Sequence, residues 1–205
     1  MTDFGGARVR VRLLTGGYAQ AYERFRAAEA ANDSTAASFA LFETLNWAHA
    51  VDDVISKIWS PRGKVLGYGW RKDPALHGGD ELSNIMGGLR YVRNRVHHQW
   101  ADALITDKVS GGLTFPLTFP ATFGTVSAWE WRAADDLPTP SNAAKEAPGR
   151  KAYTASLAGR KPDHSLAAMG LVFPFVGELL DPPIAARIAP IVVGKGENEN
   201  ESQQA

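Results

Sequence analysis

The segment Arg93–Trp100, RNRVHHQW, gathers the side chains of this chain that are best suited to act on a phosphodiester. Arg93 and His97 are four residues apart, and so are Asn94 and His98, so a helix would place each pair on one side. Histidine can take or give a proton near neutral pH, because its pKa lies there. Arginine stays charged and can make two parallel hydrogen bonds to phosphate oxygens. The segment therefore predicts an acid-base site with a phosphate-binding cation.

These side chains meet the needs of RNA cleavage without a metal ion. That reaction needs a base for the 2′-hydroxyl, a cation beside the five-coordinate phosphate and an acid for the leaving 5′-oxygen. We predict His98 as the general base or acid, Arg93 as the phosphate clamp and Asn94 as the group that orients them. Arg90 and Arg95 are predicted to add substrate-binding charge beside these three.

Two helices are predicted before this segment. Helix 1 is predicted over residues 18–31, where aromatic residues recur every three or four positions. The polar run 32–35 stops this helix and offers an N-cap to the next one. Helix 2 is predicted over residues 36–59, and Pro61 and Gly63 are predicted to end it.

Helix 3 is predicted to carry the motif. Its apolar positions recur at helical spacing over residues 82–104, after a cap at Asp80 or Ser83. Beyond this helix, residues 113–120 and 125–132 alternate apolar and polar side chains. This alternation predicts a short hairpin, with the first, proline-containing run at an edge.

The C-terminal part of the chain is predicted to be helical in two short pieces. Residues 134–149 are rich in Ala, Pro and Asp and predict a mobile connection. The helical pieces follow near residues 152–158 and 165–180. Residues 191–205 have almost no apolar content after the first few positions, which predicts a disordered tail.

The motif resembles that of HEPN domains, in which an arginine precedes a histidine by four to six residues. Arg93 and His98 have this spacing, and Asn94 is the polar residue that the family favours after the arginine. Trp100 stands where HEPN toxins of the R-x4-H-x-Y type have a tyrosine. The resemblance covers about residues 15–108. It implies a small antiparallel helical bundle that dimerises, and a metal-independent endoribonuclease of the toxin or defence kind.

The resemblance also implies partners and supporting residues. RNA would be the substrate, a second copy of the chain would bring its own motif to a shared cleft, and an antitoxin would control the activity. Trp100 does not support control by nucleotidylation of a tyrosine. The preceding helix would supply polar side chains, since Asn46, His49 and Asp53 lie on one face by their spacing, and His97 neighbours the motif.

Together these features predict a mainly α fold, an HEPN-like antiparallel helical bundle with a small β-hairpin and a helical C-terminal extension. The bundle is predicted over residues 1–110, the hairpin and helical extension packed on it over 111–190, and the disordered tail over 191–205. A chain of 205 residues is long enough for one such domain with its own core.

The composition narrows the classes of protein that the chain can belong to. The 22 basic and 22 acidic residues cancel, so any RNA site must be a local patch. The absence of cysteine excludes disulfides, thiolate metal sites and cysteine nucleophiles. We predict no metal and no cofactor. The N-terminus lacks a secretory pattern and no stretch is apolar enough for a membrane span, which predicts a cytoplasmic protein without membrane contact.

A catalytically silent helical module is the first alternative. Such a module would use the bundle and the hairpin to bind protein or RNA. In it, Arg93 would be a surface arginine paired with Glu43 or Asp53. Trp129 and Trp131 would share one face of a strand, either to pack the hairpin on the bundle or to stack bases.

A metal site between two helices is the second alternative, because helical bundles often build such sites from histidine and carboxylate. The sequence lacks the Glu-x-x-His and His-x-x-x-His pairs that are strong signals for helical metal sites. The ligands of this site would be His49, Asp52, Asp53, His97 and His98.

Overall fold

The computed structural model of the chain describes residues 4–73, 76, 79–99, 103–109, 126–140 and 142–180. Within these residues there are five α-helices, one short 3-10 helix and two β-strands, so the predicted mainly α fold with a small hairpin is confirmed. The elements are, in chain order, α1 (Phe4–Ala30), α2 (Ser34–Leu66), a 3-10 helix (Trp70–Lys72), α3 (Gly79–Gln99), β1 (Leu104–Val109), β2 (Val126–Trp131), α4 (Ala143–Ser156) and α5 (Pro162–Leu179).

Helices α1 and α2 form an antiparallel hairpin with a tight turn. Asn32 adopts a φ of 59° in the turn. The Asp33 side chain accepts a hydrogen bond from the amide of Ala36 at 2.9 Å, which confirms the predicted N-cap of α2. Gly17 of α1 lies against the indole of Trp47, where a Cβ would come within 2.8 Å of the ring. A larger residue at this position would therefore displace the Trp47 ring.

Helix α1 begins at Phe4, so the prediction that it starts at residue 18 is wrong. The added turns pack against the end of α5, where Val11 is buried and its Cγ1 lies 3.2 Å from the place of a Cβ on Gly177. This packing stabilises a segment whose glycines have low intrinsic helix propensity.

Helix α2 passes through Pro61 and Gly63, which were expected to end it, and stops at Gly67. The φ of 78° at that residue suits glycine, and its amide donates to the Gly63 carbonyl at 2.8 Å. The next loop returns over the helix, where Trp59 Nε1 donates to the Tyr68 carbonyl at 3.3 Å. Contact with this loop supports the last turns of α2 in spite of the proline.

Helices α3 and α4 pack antiparallel through two glycines. A Cβ on Gly88 would lie 2.8 Å from a methyl group of Leu157 and 3.0 Å from the backbone of Tyr153. A Cβ on Gly87 would lie 3.0 Å from the side chain of Ala152. The small residues let the two backbones approach closely, so the position of α4 depends on them.

Helix α4 begins at Ala143, so the prediction of a mobile connection over residues 134–149 is wrong for its second half. The Asn142 side chain accepts a hydrogen bond from the amide of Lys145 at 3.1 Å and caps the helix. The helix continues through Pro148. Packing on α3 outweighs the loop-like composition that motivated the prediction.

Strands β1 and β2 pair antiparallel, with Leu104 opposite Trp131 and Val109 opposite Val126. The position of β2 is confirmed. The prediction that helix 3 reaches residue 104 is wrong, because α3 is described only to Gln99 and residue 104 belongs to β1. The run 113–120, predicted as the first strand, lies outside the described residues.

Both indoles of β2 are buried. Trp129 is 3% and Trp131 0% exposed, and Trp131 Nε1 donates to Ser165 Oγ of α5 at 3.2 Å. These rings pack the hairpin on the bundle, and they are not available to stack on bases.

One cluster of buried apolar side chains extends from Val11 of α1 to Val176 of α5 and includes residues of each helix and strand given above. The predicted boundary at residue 110 therefore lies between two strands that pair with each other. The predicted tail 191–205 lies outside the described residues. None of the described helices is both long enough and apolar enough to span a membrane.

Candidate functional site

Helices α2 and α3 run antiparallel and bring two polar stripes together. Residues three and four apart share one face of a helix. We call the resulting surface the α2–α3 polar face. Its members are Asn46, His49 and Asp53 from α2, and Arg90, Arg93 and His97 from α3. The pairing of Asp53 with Arg90 and of Asn46 with Arg93 fixes the register of the two helices.

Arg93 is held by an amide. Its Nε donates to Asn46 Oδ1 at 3.0 Å. The same amide is fixed from its other end, because Asn46 Nδ2 donates to the Phe42 carbonyl at 2.9 Å. Burial lowers the pKa of Arg93, while Asp53 opposes this effect. Arginine remains charged at neutral pH under such a shift.

The carboxylates that were considered as partners of Arg93 bind other arginines. Glu43 Oε1 lies 2.6 Å from Arg24, and Asp53 Oδ1 lies 2.5 Å from Arg90. Among the described residues, the guanidinium of Arg93 has no ion-pair partner within 4.0 Å. Arg93 therefore keeps an oriented positive charge that no carboxylate of the described residues neutralises by contact.

Asp52 is the centre of a buried charge network. Its fully buried side chain accepts hydrogen bonds from Trp70 Nε1 at 3.1 Å and from Arg71 Nε at 3.0 Å and Nη2 at 2.6 Å. Arg90 Nε lies 2.5 Å from Asp52 Oδ2, and Arg90 Nη2 donates to Asp53 Oδ1 at 2.5 Å. Two arginines thus share two carboxylates. Arg90, predicted to bind substrate, joins α3 to α2, and Trp70 and Arg71 join the 3-10 helix to the same carboxylate of Asp52.

The surroundings of His49 favour the neutral form of its imidazole, because they lower its pKa. Burial lowers its pKa below the ordinary value of 6.5, the charges of Arg90 and Arg93 lower it further, and Asp53 and Asp52 oppose these effects. Its Nε2 lies 3.7 Å from Asp53 Oδ2, which is too long for a hydrogen bond. Its Nδ1 is buried and accepts or donates no hydrogen bond among the described residues. A neutral ring in this position can accept a proton.

The other motif residues lie along the same part of α3. His97 faces α2, with its ring centroid 5.6 Å from that of Phe42. His97 therefore belongs to the α2–α3 polar face, whereas the sequence predicted it only as a neighbour of the motif. Asn94 is half-buried on α3. His98 lies in the last turn of α3, and its side chain is outside the described part of the structure.

Arg95 lies on the other side of α3. Its side chain is 4% exposed, donates to Glu146 of α4, and lies over the ring of Tyr91 with 5.3 Å between Cζ and the ring centroid. A third contact is longer, from Nη1 to the Pro138 carbonyl at 3.5 Å. The structure therefore does not bring Arg95 together with Arg93. It joins α3 to α4, and a buried ion pair of this kind is not accessible to a substrate.

Three of the five residues in the metal alternative do come together. The ligand atoms of His49, Asp52 and Asp53 all lie within 4.8 Å of one another. Asp52, however, already binds Arg71 and Arg90, and Asp53 already binds Arg90. A metal ion would have to displace or face these two positive charges. The arrangement therefore favours an ion-pair network over a metal centre.

Sequence reasoning missed Arg71 and Trp70 as partners of the face, because residues 60–80 show no periodicity that would place them. A signal did exist on α2. Asp52 follows Val51 and precedes Ile55 by three residues, so helical spacing puts a carboxylate at the edge of the apolar stripe. A buried carboxylate needs partners, and a basic residue in the next loop was the nearest source of one.

A comparison of the chain with protein-family models, with curated proteins and with solved structures gives no match. The function is therefore inferred from the chemistry of the α2–α3 polar face.

Proposed function

We propose that the chain is a metal-independent endoribonuclease of the HEPN type, with the α2–α3 polar face as part of its site. One observation carries this proposal: Arg93 is oriented by the Asn46 amide and has no ion-pair partner among the described residues. The Nη nitrogens of a guanidinium held through Nε can make paired hydrogen bonds to a phosphate. A fixed positive charge of this kind stabilises the charge that develops on a phosphate during cleavage.

The proposed reaction is a transesterification within RNA. A base removes the proton of the 2′-hydroxyl, the 2′-oxygen forms a bond to phosphorus, and the bond from phosphorus to the 5′-oxygen breaks while an acid protonates that oxygen. The products are a 2′,3′-cyclic phosphate and a 5′-hydroxyl. Arg93 binds the phosphate, Asn94 orients the reacting groups and His98 acts as general base or acid. The neutral ring of His49 adds a second imidazole that can accept the 2′-proton.

The proposal includes two partners besides RNA. In the HEPN domains that the motif resembles, two copies of the motif face each other across a shared cleft, so a second copy of the chain would complete the site. An active ribonuclease also needs control, which an antitoxin protein would provide. Light scattering of the purified chain tests the first point, with a homodimer as the expected state.

Cleavage in the presence of EDTA is the direct test. The purified chain is expected to cut single-stranded RNA with EDTA present and to leave 2′,3′-cyclic phosphate ends, read by mass spectrometry. Arg93→Ala is expected to lower the rate by about 100-fold, as for the loss of one group that stabilises transition-state charge. His98→Ala is expected to abolish cleavage.

Arg150→Ala is the matched control, because Arg150 is an exposed arginine of α4 that binds Asp135 away from this face. It is expected to retain the activity of the unaltered chain. Cleavage that survives both Arg93→Ala and His98→Ala would refute the assignment.

A catalytically silent binding module is the second function that a specific observation favours. Helices α1 and α5 expose large apolar side chains, which are common at sites of protein contact. These residues are Val9, Leu13, Leu171 and Phe175. Expression in a host cell discriminates the two functions, since a ribonuclease should arrest growth and its Arg93→Ala variant should not. Equal growth with both proteins, together with no cleavage of RNA in vitro, would favour the silent module.

A further inference from the structure

A cleft of about 450 Å³ lies at the C-terminal end of α2, apart from the Arg93 site. One wall is the helix, which contributes Ser56, Ser60 and Lys64 at successive intervals of four residues. The other wall is the returning loop, which contributes Tyr68 and Trp70. The volume lies within the range of small-molecule sites, so the cleft is large enough for a ligand of the size of a nucleotide.

Two hydrogen bonds fix the position of the loop relative to α2. The loop is anchored at its start by the hydrogen bond from Trp59 Nε1 to the Tyr68 carbonyl, and at its end by that from Trp70 Nε1 to Asp52. Gly63 allows the first contact, because a Cβ there would come within 2.8 Å of the Tyr68 oxygen. The loop is thus tied to the helix at both ends and leaves space between. A cleft that is formed before the ligand arrives lowers the entropic cost of binding.

The lining points to a ligand with a planar ring and one negative charge. Lys64 is the only charged residue among the described residues that line the cleft, so the local charge is positive. Ser56 and Ser60 provide hydroxyl groups on the same side. Tyr68 is half-buried and offers a ring for stacking. A phosphate on Lys64 and a ring against Tyr68 would use both the charged and the aromatic part of the lining.

We propose that this cleft binds a nucleotide, with its phosphate at Lys64 and its base against Tyr68. The carbonyl end of α2 opposes an anion, but its partial charge is about half a unit and the lysine carries a full one. The cleft and the Arg93 site share one helix: the polar stripe of α2 continues from Asn46 and Asp53 through Ser60. The site does not depend on cleavage at Arg93 and can be tested without it.

Calorimetric titration of the full chain with UMP, uridine and inorganic phosphate is the test. UMP is expected to bind, and uridine and phosphate are each expected to bind at least tenfold more weakly, because uridine has no phosphate for Lys64 and phosphate has no ring for Tyr68. Lys64→Ala is expected to weaken UMP about tenfold and to leave uridine unchanged. That loss corresponds to about 1.4 kcal/mol.

Lys57→Ala is the matched control. Lys57 is an exposed lysine two turns earlier on the same side of α2, and it does not line the cleft. It is expected to bind UMP as the unaltered chain does. Ser60→Phe places a ring inside the cleft from an exposed helix position and is expected to abolish binding, with circular dichroism as the check of folding. The proposal is overturned if UMP binds no better than phosphate, or if Ser60→Phe binds UMP normally.

The same chemistry could come from a free nucleotide or from one nucleotide of an RNA strand. A uridine oligonucleotide that cannot be cleaved, with 2′-deoxy sugars, separates the two sources. If it binds more tightly than UMP and loses this gain in Arg93→Ala, the cleft holds part of a strand that also reaches the α2–α3 polar face. If it binds no more tightly, the ligand is a free nucleotide. A strand-bound ligand would rest on the proposed function, whereas UMP binding alone would stand if that function failed.

Discussion

Arg93 and Arg95 are two residues apart on α3, and they face two different environments. Arg95 points to α4, where it is buried, bound to Glu146 and covered by Tyr91. Arg93 points to α2, where a neutral amide orients it. Arg90 lies on the same side of α3 as Arg93 and binds two carboxylates, whereas Arg95 binds one. Among these three arginines, Arg90 and Arg95 hold helices together, whereas Arg93 has no carboxylate partner among the described residues.

This difference separates structural charges from chemically available ones. A buried pair gives little net stability, but the loss of one partner is costly because the other charge stays buried. An arginine held by an amide can be removed at small cost, since only one hydrogen bond is lost. Stability and activity should therefore respond in opposite ways to changes at the two kinds of arginine.

Removal of the charge of Asp52 should have the largest effect on stability. Asp52→Asn keeps the shape of the side chain but leaves Arg71 and Arg90 without their shared carboxylate. We expect a loss of about 4 kcal/mol in the free energy of unfolding, measured by urea denaturation. Asp53→Asn is the control, because Asp53 is 43% exposed, and it should cost less than about 1 kcal/mol. Equal losses would show that the network is not centred on Asp52.

Arg95→Ala should have the next largest effect. It leaves Glu146 without its partner and removes the guanidinium from the ring of Tyr91. We expect a loss of about 3 kcal/mol in stability. Arg93→Ala, the same change two residues away, should cost about 1 kcal/mol or less. If the two variants have the same midpoint in urea, Arg95 and Arg93 do not differ in the way described.

A change at Asn46 should convert the available arginine into the paired kind. Asn46→Asp would place a carboxylate where the amide now accepts from Arg93. Stability should change by only about 1 kcal/mol, since the new, partly exposed ion pair offsets the lost hydrogen bond from Asn46 Nδ2 to the Phe42 carbonyl. The affinity for RNA should fall about tenfold, because the new charge competes with phosphate, and a filter-binding titration measures it. Asn46→Gln keeps the amide and is the control; a tighter complex with Asn46→Asp would contradict the role given to Arg93.

The sequence carried part of this information. The apolar spacing of α3 predicts a buried face through Leu89 and Val92, and Arg95 lies three residues after the latter on that face. The burial of Arg95 could therefore have been predicted from the helical periodicity. Its partner could not have been predicted, because Glu146 belongs to a segment whose alanine, proline and charged residues predict a loop. Long-range packing determines the secondary structure of such a segment, and local helix propensity carries no information about that packing.

The fold shows the same division between local and distant causes. The cap at Asp33 and the helical pattern of α2 and α3 are local and were predicted correctly. The early start of α1 and the passage of α2 through Pro61 depend on contacts with α5 and with the returning loop. The pairing of Asn46 with Arg93 depends on the register between two helices. The spacing of residues in the sequence shows which face of each helix they share, but it does not fix that register.

Protonation of His49 should give the smallest effect, and it tests the electrostatics of the α2–α3 polar face. Its pKa in the folded chain lies below 6.5 because of burial and the charges of Arg90 and Arg93, while Asp53 and Asp52 act in the opposite direction. The unfolded chain therefore binds more protons between the two pKa values, so stability is full above pH 6.5 and is lost as the pH falls through this window. Between pH 7.5 and 5.5 the melting temperature of the unaltered chain should fall more than that of His49→Gln, by on the order of 1 °C, because the ring is partly exposed. The carboxylates titrate in both proteins, so the difference isolates the imidazole. If the melting temperature of His49→Gln falls as much as that of the unaltered chain, or more, burial and the arginines beside it do not hold the histidine neutral, and its proposed role as a base loses its physical ground.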